Sequence, residues 1–272
     1  MELRYNIRIE WINVYFAFLK FERTFPKMKI LALDTTAKTA AIAIADGEKL
    51  IASATLNTPG THSVTVLPVV DSLLKGSSLT VKDIDMFACS AGPGSFTGVR
   101  IGVALVKGLA FGTGKPCVGV SSLEALARNL LTVDGIICPV MDARRDQLYN
   151  ALFSCKNGEL TRITEDRLVT AAELKAELGG YNDKVYFVGD GCGVAAKQII
   201  GDDDSGKLNV APELYRWQNG YSVAQTALSL WETESAKGED MTKYTDAALS
   251  PVYLRASQAE RERNERVAAE GK

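Results

Sequence analysis

The side chains of this chain that could do chemistry are few and widely spaced. It has one histidine, His62, so no pair of histidines can hold a metal, and a Ser–His–Asp triad would depend on this residue. His62 stands beside Ser63 where a helix is expected to begin, a position where a polar residue needs no catalytic role. No G-x-S-x-G motif is present. We predict no catalytic residue and no imidazole-bound metal, while a magnesium site made of carboxylates alone stays open.

Phosphate-binding motifs fail as well. Gly112-Thr113-Gly114-Lys115 is followed by Pro116, so the P-loop pattern G-x-x-x-x-G-K-[ST] is not met. The segment from Gly92 to Gly98 misses the dinucleotide pattern G-x-G-x-x-G because its third glycine falls one place late. Neither familiar phosphate loop is therefore expected.

Two turns after apolar runs remain as candidates for nucleotide chemistry: Asp34-Thr35-Thr36 and Asp142-Ala143-Arg144-Arg145. In two-lobed ATPases such turns face one another and hold phosphate and magnesium. The second turn has no glycine or hydroxyl, so Arg144 and Arg145 would contact an anion through their side chains. We predict a candidate cleft of Asp34, Thr35, Thr36, Asp142 and Arg144 that binds ATP or ADP weakly, without hydrolysis by this chain alone.

The most distinctive stretch is the loop Gly92-Pro93-Gly94-Ser95-Phe96-Thr97-Gly98. Its glycines permit positive φ and a helix starts at its end, which favours anions, although tight strand-to-helix packing explains the same residues. The helix also carries Gly102 and Gly108, and glycine inside a helix costs about 1 kcal/mol against alanine. Either the chain's own sheet or another protein's helix packs closely there. We favour the second, because three glycines cannot share one internal face.

The elements that position these residues occur twice. Strands are expected at 29–33, 40–45, 48–56, 85–91 and 117–120 and helices at 61–74, 99–111 and 123–131. The pattern restarts with strands at 136–141, 147–154, 159–168 and 185–188 and a helix at 171–178. This internal repeat predicts two βββαβα lobes facing each other, the α/β architecture of actin, Hsp70 and sugar kinases (the ASKHA, ribonuclease H-like fold).

The repeat divides the chain. We predict lobe I over residues 28–133 and lobe II over 134–256, whose last helix can pack back on lobe I. Residues 1–27 are interpreted as an upstream extension, since Met28 leads directly into a strand, and residues 257–272 as a charged tail.

The amino-acid composition restricts which partners and which cellular compartment suit the chain. The chain is 46% apolar and 24% charged with a net charge of −2, so no strongly basic field draws it to nucleic acid. Five cysteines without a C-x-x-C pair argue against a disulfide framework and favour a reducing cytoplasm. No run approaches the roughly 20 apolar residues that span a membrane.

Several motifs resemble, in the same order, the signature of the bacterial TsaB family, formerly YeaZ. The similarity covers about Met28 to Arg255 and includes the segment from Gly92 to Gly102 with Lys107-Gly108-Leu109-Ala110, Leu33-Asp34-Thr35, His62-Ser63, the segment from Gly119 to Ala127, Asp142-Ala143-Arg144 and the segment from Pro251 to Arg255.

The resemblance implies the ASKHA fold and a role in tRNA modification. TsaB proteins pair with the paralogue TsaD, which carries the metal and transfers a threonylcarbamoyl group to N6 of the adenosine just 3′ of the anticodon in tRNAs reading ANN codons, forming t6A. TsaE, an ATPase, joins the complex, and TsaC makes the donor. The chain would then be a required, non-catalytic scaffold that reaches tRNA through the complex. The alternatives are an actin-fold ATPase or kinase using Asp34 and Asp142 and, more distantly, a glycoprotease-like peptidase.

The resemblance also implies where the partner binds. In the family the contact uses the first two helices of lobe I, and the same surface can form homodimers. The residues expected to contact TsaD are His62, Ser63, Val66, Leu67, Val70, Val99, Arg100, Gly102, Val103 and Val106, with the loop from Gly92 to Gly98. We expect Gly102→Leu or Val103→Asp to abolish partner binding without unfolding. Where TsaD has a His-x-x-x-His pair, this sequence has Ser122 and Leu126.

Overall fold

The computed structural model describes residues 28–201, 203 and 205–255. The predicted upstream extension and charged tail lie outside these residues. The first sheet has the strand order β3-β2-β1-β4-β5, in which β1 pairs antiparallel with β2 and parallel with β4. Its strands are β1 (Lys29–Asp34), β2 (Ala40–Asp46), β3 (Lys49–Leu56), β4 (Met86–Gly92) and β5 (Cys117–Ser121).

Apolar residues cover both faces of this sheet, so helices pack on each side. On one side lie α1 (His62–Gly76) and α2 (Phe96–Ala110), whose valines meet Leu31, Leu33 and Ile42 in the core. On the other side lie α3 (Ser122–Ala127) and the last long helix, α7 (Gly220–Ala236). A Cβ atom on Gly220 would lie 2.4 Å from the Ile42 carbonyl carbon, so α7 starts in close contact with β2.

The second sheet repeats the first one, with the strand order β10-β7-β6-β11-β12 and a further pair, β8 and β9, attached to β6. Its strands are β6 (Gly135–Asp142), β7 (Gln147–Asn150), β8 (Phe153–Lys156), β9 (Glu159–Arg162), β10 (Arg167–Thr170), β11 (Val185–Val188) and β12 (Leu208–Val210). The central strands β6 and β11 are parallel, as β1 and β4 are. The shared order confirms the predicted two-lobed fold.

Two predicted strands of lobe II are each divided in the structure. The predicted strand 147–154 is interrupted after Asn150, whose buried Nδ2 donates to the carbonyl oxygens of Pro139 and Ala151, both at 3.0 Å. The predicted strand 159–168 is divided into β9 and β10, and between them Thr164 Oγ1 accepts the Leu152 backbone N–H at 2.8 Å. As a result, β7 pairs with the end of β6 and β8 with its beginning.

The helices between β10 and α7 are shorter. They are α4 (Ala171–Leu178), α5 (Cys192–Ala195) continued by a π turn (Ala196–Ile200), and α6 (Glu213–Arg216). Thr170 and Glu173 form a capping box at the start of α4, as expected for T-x-x-E. Within the described part of the chain, no helix combines the length and apolarity needed to cross a bilayer.

Candidate functional site

A cleft of about 600 Å³ separates the two lobes. Lobe I contributes the turn after β1 and the start of α2, and lobe II contributes the turn after β6 together with Asp190 after β11. The segment from Val252 to Arg255 closes one side. The cleft thus lies where the repeat predicts that the two Asp turns approach each other.

Asp34 does not line this cleft, which corrects its assignment to a nucleotide site. The residue is 1% exposed, and its carboxylate accepts hydrogen bonds from Thr36 N at 2.8 Å, Thr36 Oγ1 at 2.6 Å and Ser90 Oγ at 2.5 Å. Burial raises the pKa of Asp34 above its usual value, against the lowering effect of these hydrogen bonds. The carboxylate fastens the turn to β4 and leaves no free oxygen towards the cleft.

Thr35 also faces the interior, so its assignment to the cleft is wrong as well. It is 1% exposed, and its Oγ1 donates to the Gly98 carbonyl at 2.7 Å. Thr36 contributes to the cleft lining although it is buried. The first Asp turn therefore serves mainly to join β1 to the glycine loop.

The second Asp turn does line the cleft. Asp142 and Arg144 are exposed there, and Asp142 Oδ1 accepts the Arg144 N–H at 2.7 Å. Arg144, Arg145 and Asp146 all have positive φ, at 66°, 56° and 57°, without a glycine among them. Non-glycine residues rarely adopt this conformation, and each one costs roughly 1–3 kcal/mol.

Four cations line the cleft: Lys38, Arg144, Arg145 and Arg255. Neither Lys38 nor Arg255 was predicted to line it, because each lies outside the two Asp turns in sequence. Asp190 was not assigned either, although Gly189-Asp190-Gly191 follows β11 as the glycine loop follows β4. That correspondence within the repeat is the signal that could have identified it.

Asp190 is the acidic residue of the cleft whose pKa is shifted. Its Oδ1 accepts the Asp142 N–H at 3.3 Å. Burial raises the pKa of Asp190 to about 6, with a smaller contribution from the charge of Asp142, while Lys38 acts in the opposite direction. Within the described chain no group of three or more His, Cys, Asp or Glu side chains could hold a metal ion.

The glycine loop connects the cleft to α2. Ser95 N donates to the Thr36 carbonyl at 2.7 Å, and Ser95 Oγ caps α2 by accepting the Gly98 N–H at 3.3 Å. Gly92, Pro93 and Gly98 are buried, Gly94 and Phe96 are half-buried, and Ser95 and Thr97 are exposed. A Cβ on Gly98 would lie 2.0 Å from the Thr35 carbonyl oxygen. Strand-to-helix packing therefore explains the buried part of the loop.

The predicted partner residues divide into two groups. Six of them belong to the core of lobe I and cannot contact another protein: Val66, Val70, Val99, Gly102, Val103 and Val106. The expectation that Gly102→Leu or Val103→Asp would spare the fold is therefore wrong. The preference for a partner's helix over the chain's own sheet is also wrong for Gly98 and Gly102, since both pack on β1 and the turn after it, and only Gly108 has open space above it.

The remaining predicted residues lie near the surface. Ser63 and Leu67 are exposed, and His62 is half-buried with its Nε2 2.8 Å from the Ala37 carbonyl. Arg100 is exposed, but its guanidinium lies 3.9 Å from the Phe96 ring centre and its Nε donates to Tyr253 Oη at 2.8 Å. These contacts direct Arg100 to the segment that closes the cleft.

The outer sides of α1 and α2 form an apolar surface, which we call the α1–α2 face. Val64 is 69% exposed and Leu67 47% exposed. The face comprises the exposed residues Val64, Leu67, Pro68, Ala104 and Gly108 and the half-buried Ile101. A cavity of about 530 Å³ adjoins it, between residues 57–62 and the start of α2. Exposed apolar surface of this kind marks an interaction site more often than an isolated leucine does.

Two lobes with the same strand order, facing a common cleft, define an actin-like protein of the ASKHA class. A family model described as "TsaD: tRNA N6-adenosine threonylcarbamoyltransferase" matches residues 57–257. The chain is 40% identical to the tRNA threonylcarbamoyladenosine biosynthesis protein TsaB of Bacillus subtilis over 175 residues, which cover 64% of this chain and 76% of that protein.

Two further comparisons extend over more of the chain. The chain is 29% identical to TsaB of Haemophilus influenzae over 84% of this chain and 94% of that protein. The solved structure of YeaZ from Pseudomonas aeruginosa superposes with a TM-score of 0.68 at 25% identity, covering 84% of this chain and 100% of that one. The chain belongs to the TsaB (YeaZ) family, whose members are named for threonylcarbamoyladenosine biosynthesis.

Proposed function

We propose that this chain is a non-catalytic binding subunit required for t6A formation, and that it docks the transferase TsaD through the α1–α2 face. The observation that carries the proposal is this apolar face, in which Val64 and Leu67 are 69% and 47% exposed. Gly108 supports it, because nothing lies within 4 Å of where its Cβ would be, so a partner's backbone could approach closely.

The side chains that catalysis would require support a binding role over turnover. Asp34, which a kinase of this fold would need beside magnesium, is buried, and three hydrogen bonds engage its oxygens. His62 is paired with the Ala37 carbonyl and starts α1. At the position of the first metal ligand expected in TsaD, Ser122 is buried, and its hydroxyl donates to the Pro93 carbonyl.

The proposal extends to the rest of the complex. TsaE would join the pair of TsaB and TsaD, tRNA would be reached through the complex, and the α1–α2 face would form a homodimer when TsaD is absent. Binding of TsaD and binding of a second copy of the chain would each bury the same apolar face. The heterodimer and the homodimer would therefore compete for the same residues.

The test is co-purification of tagged chain with TsaD. Val64→Glu and Ala104→Arg, one on each helix, place a charge on the face and should weaken TsaD binding more than about tenfold. Both positions are exposed, so the fold should be retained. Leu214→Glu is the matched control, because Leu214 is 82% exposed on α6 of lobe II.

Reconstituted tRNA modification completes the test. We expect t6A to form only when the chain is present, to fail with Val64→Glu, and to be normal with Leu214→Glu. The purified chain alone should not hydrolyse ATP. Full modification without the chain, or ATP turnover by the purified chain alone, would overturn the proposal.

A further inference from the structure

We propose that a ring of hydrogen bonds and ion pairs locks the two lobes in one relative orientation, so that they do not rotate against each other as hinged domains do. Lobe I contributes Ser121 and Glu124 to this ring, and lobe II contributes Arg162 and Asp166. We call these four residues the interlobe ring. The inference concerns the isolated chain and is independent of TsaD docking on the α1–α2 face.

The contacts of the interlobe ring form a closed circuit. Arg162 Nη2 donates to Glu124 Oε2 at 2.9 Å, and Arg162 Nη1 donates to Asp166 Oδ1 at 2.7 Å. The second oxygen of Asp166 accepts the Ser121 hydroxyl at 2.5 Å. Ser121 Oγ in turn accepts the backbone N–H of Glu124 at 3.1 Å. Since each residue has two partners inside the ring, its side chain has little freedom to turn away.

The ring is anchored in a sheet on each side. Ser121 is the last residue of β5, where it pairs with Gly92 at the end of β4, so it moves with the sheet of lobe I. Arg162 is the last residue of β9, and its guanidinium carbon lies 4.7 Å from the ring centre of Phe153 on the paired strand β8. The ring therefore links strand ends of the two sheets.

The ring also lies at the start of a helix that both lobes share. Leu123 and Leu126 of α3 pack in a core cluster of lobe II together with Ile137. Ala125 of the same helix packs in a core cluster of lobe I. A rotation of the lobes must therefore move α3 against one of the two cores, and the ring holds the first turn of this helix to both lobes.

The surroundings of the ring strengthen its ion pairs. The side chains of Glu124, Arg162 and Asp166 are 28%, 25% and 18% exposed, so salt screens them less than a surface pair. Burial disfavours the charged form of Arg162, but its hydrogen bonds to Asp166 and Glu124 outweigh burial and raise its pKa. Separating the lobes would leave these partly buried charges without their partners, which is unfavourable.

The distance between the lobes tests the proposal. Lys82→Cys on lobe I and Ala176→Cys on α4 place one spin label on each lobe, at exposed positions outside the α1–α2 face. Double electron–electron resonance then gives the distribution of label-to-label distances, and dilution with unlabelled chain suppresses distances between copies. The native cysteines are buried, and the chain without the introduced pair measures their background labelling. We expect one narrow distribution.

Removing the ring should release the lobes. In Arg162→Met we expect a clearly broader distance distribution and amide hydrogen exchange over α3 that is at least about tenfold faster, because losing hydrogen bonds to charged groups shifts an opening equilibrium by about that factor. The double variant Glu124→Gln/Asp166→Asn keeps the shape of both side chains and removes both charges, so it should show the same change to a smaller degree. Thermal unfolding checks that each variant folds.

Arg167→Met is the matched control. Arg167 forms an ion pair with Glu177 whose side chains are 29% and 32% exposed, but both residues belong to lobe II. Breaking this pair should lower stability and leave the distance distribution unchanged.

Three outcomes would overturn the proposal. These are a broad distribution in the chain whose ring is intact, a distribution that stays narrow in both ring variants, and equal broadening in Arg167→Met, which would indicate general loosening of the fold. Val64→Glu, which tests TsaD docking, should leave the distances between the lobes unchanged. The two proposals can therefore fail independently.

Discussion

The backbone of Gly102 lies against the side chain of Thr35, so closely that a Cβ on Gly102 would come within 2.6 Å of Thr35 Oγ1. That hydroxyl cannot easily move, because it donates to the Gly98 carbonyl at 2.7 Å. The contact joins α2 to the turn after β1, and with it the outer helices of lobe I to the cleft.

This contact predicts the effect of enlarging Gly102. Gly102→Leu should lower the free energy of unfolding by more than about 2 kcal/mol, since overpacking a core adds strain. Gly108→Ala is the matched control in the same helix, where nothing lies within 4 Å of the added atom. It should raise stability by up to about 1 kcal/mol. Urea unfolding measures both, and equal behaviour of the two variants would contradict the assignment of the internal face.

Periodicity predicted the elements of lobe I but not the orientation of its helices. α1 is apolar on both sides, with Val66 and Val70 in the core and Val64 and Leu67 exposed. Spacing shows which residues share a side of a helix, but when both sides are apolar it cannot show which one faces the sheet. The partner residues were therefore placed partly in the core.

The candidate cleft was predicted from its turns but not from its charges. Asp142 and Arg144 follow an apolar strand in sequence, so they could be identified locally. Lys38 and Arg255 reach the cleft from opposite ends of the described chain, and only the packing of the two lobes brings them together. Asp34 was assigned to the cleft because its sequence position does not reveal that Ser90 on the neighbouring strand β4 engages its carboxylate.

The raised pKa of Asp190 predicts that the free energy of unfolding depends on pH. Burial raises the pKa of Asp190 from 3.8 to about 6, so the folded protein binds the proton more tightly than the unfolded chain. The stability that this proton contributes is fully present below pH 3.8 and is lost as the pH rises through about 6. Asp190→Asn keeps a side-chain oxygen for the Asp142 N–H and removes the buried charge.

We therefore expect Asp190→Asn to be more stable than the unmodified chain at neutral pH, by up to about 3 kcal/mol. The difference should shrink towards zero as the pH falls to about 4. Urea unfolding across this pH range measures it. A difference that does not change with pH would show that burial does not perturb the Asp190 carboxyl.

The stack at the cleft rim predicts how firmly the closing segment is held. Tyr253 stacks on Phe96 and accepts a hydrogen bond from Arg100 Nε at 2.8 Å, while the Val252 N–H donates to the Ala91 carbonyl at 2.7 Å. Tyr253→Ala removes both side-chain contacts and should speed amide hydrogen exchange at Val252.

Tyr253→Phe is the matched control because it keeps the ring and loses only the hydroxyl. It should cost about 1 kcal/mol and change exchange at Val252 less than alanine does. Equal exchange rates in Tyr253→Ala and the unmodified chain would show that the stack does not hold the segment.

The five cysteines should be unreactive in the folded protein. Cys89, Cys117, Cys138, Cys155 and Cys192 are all buried free thiols. Burial raises the pKa of Cys117 to about 11 and of Cys192 to about 12, and it raises the pKa of the other three as well. Since the thiolate is the reactive form, iodoacetamide at neutral pH should label all five sites only after denaturation. Mass spectrometry of labelled peptides checks this, and rapid labelling of any one site in the native protein would show that its segment opens.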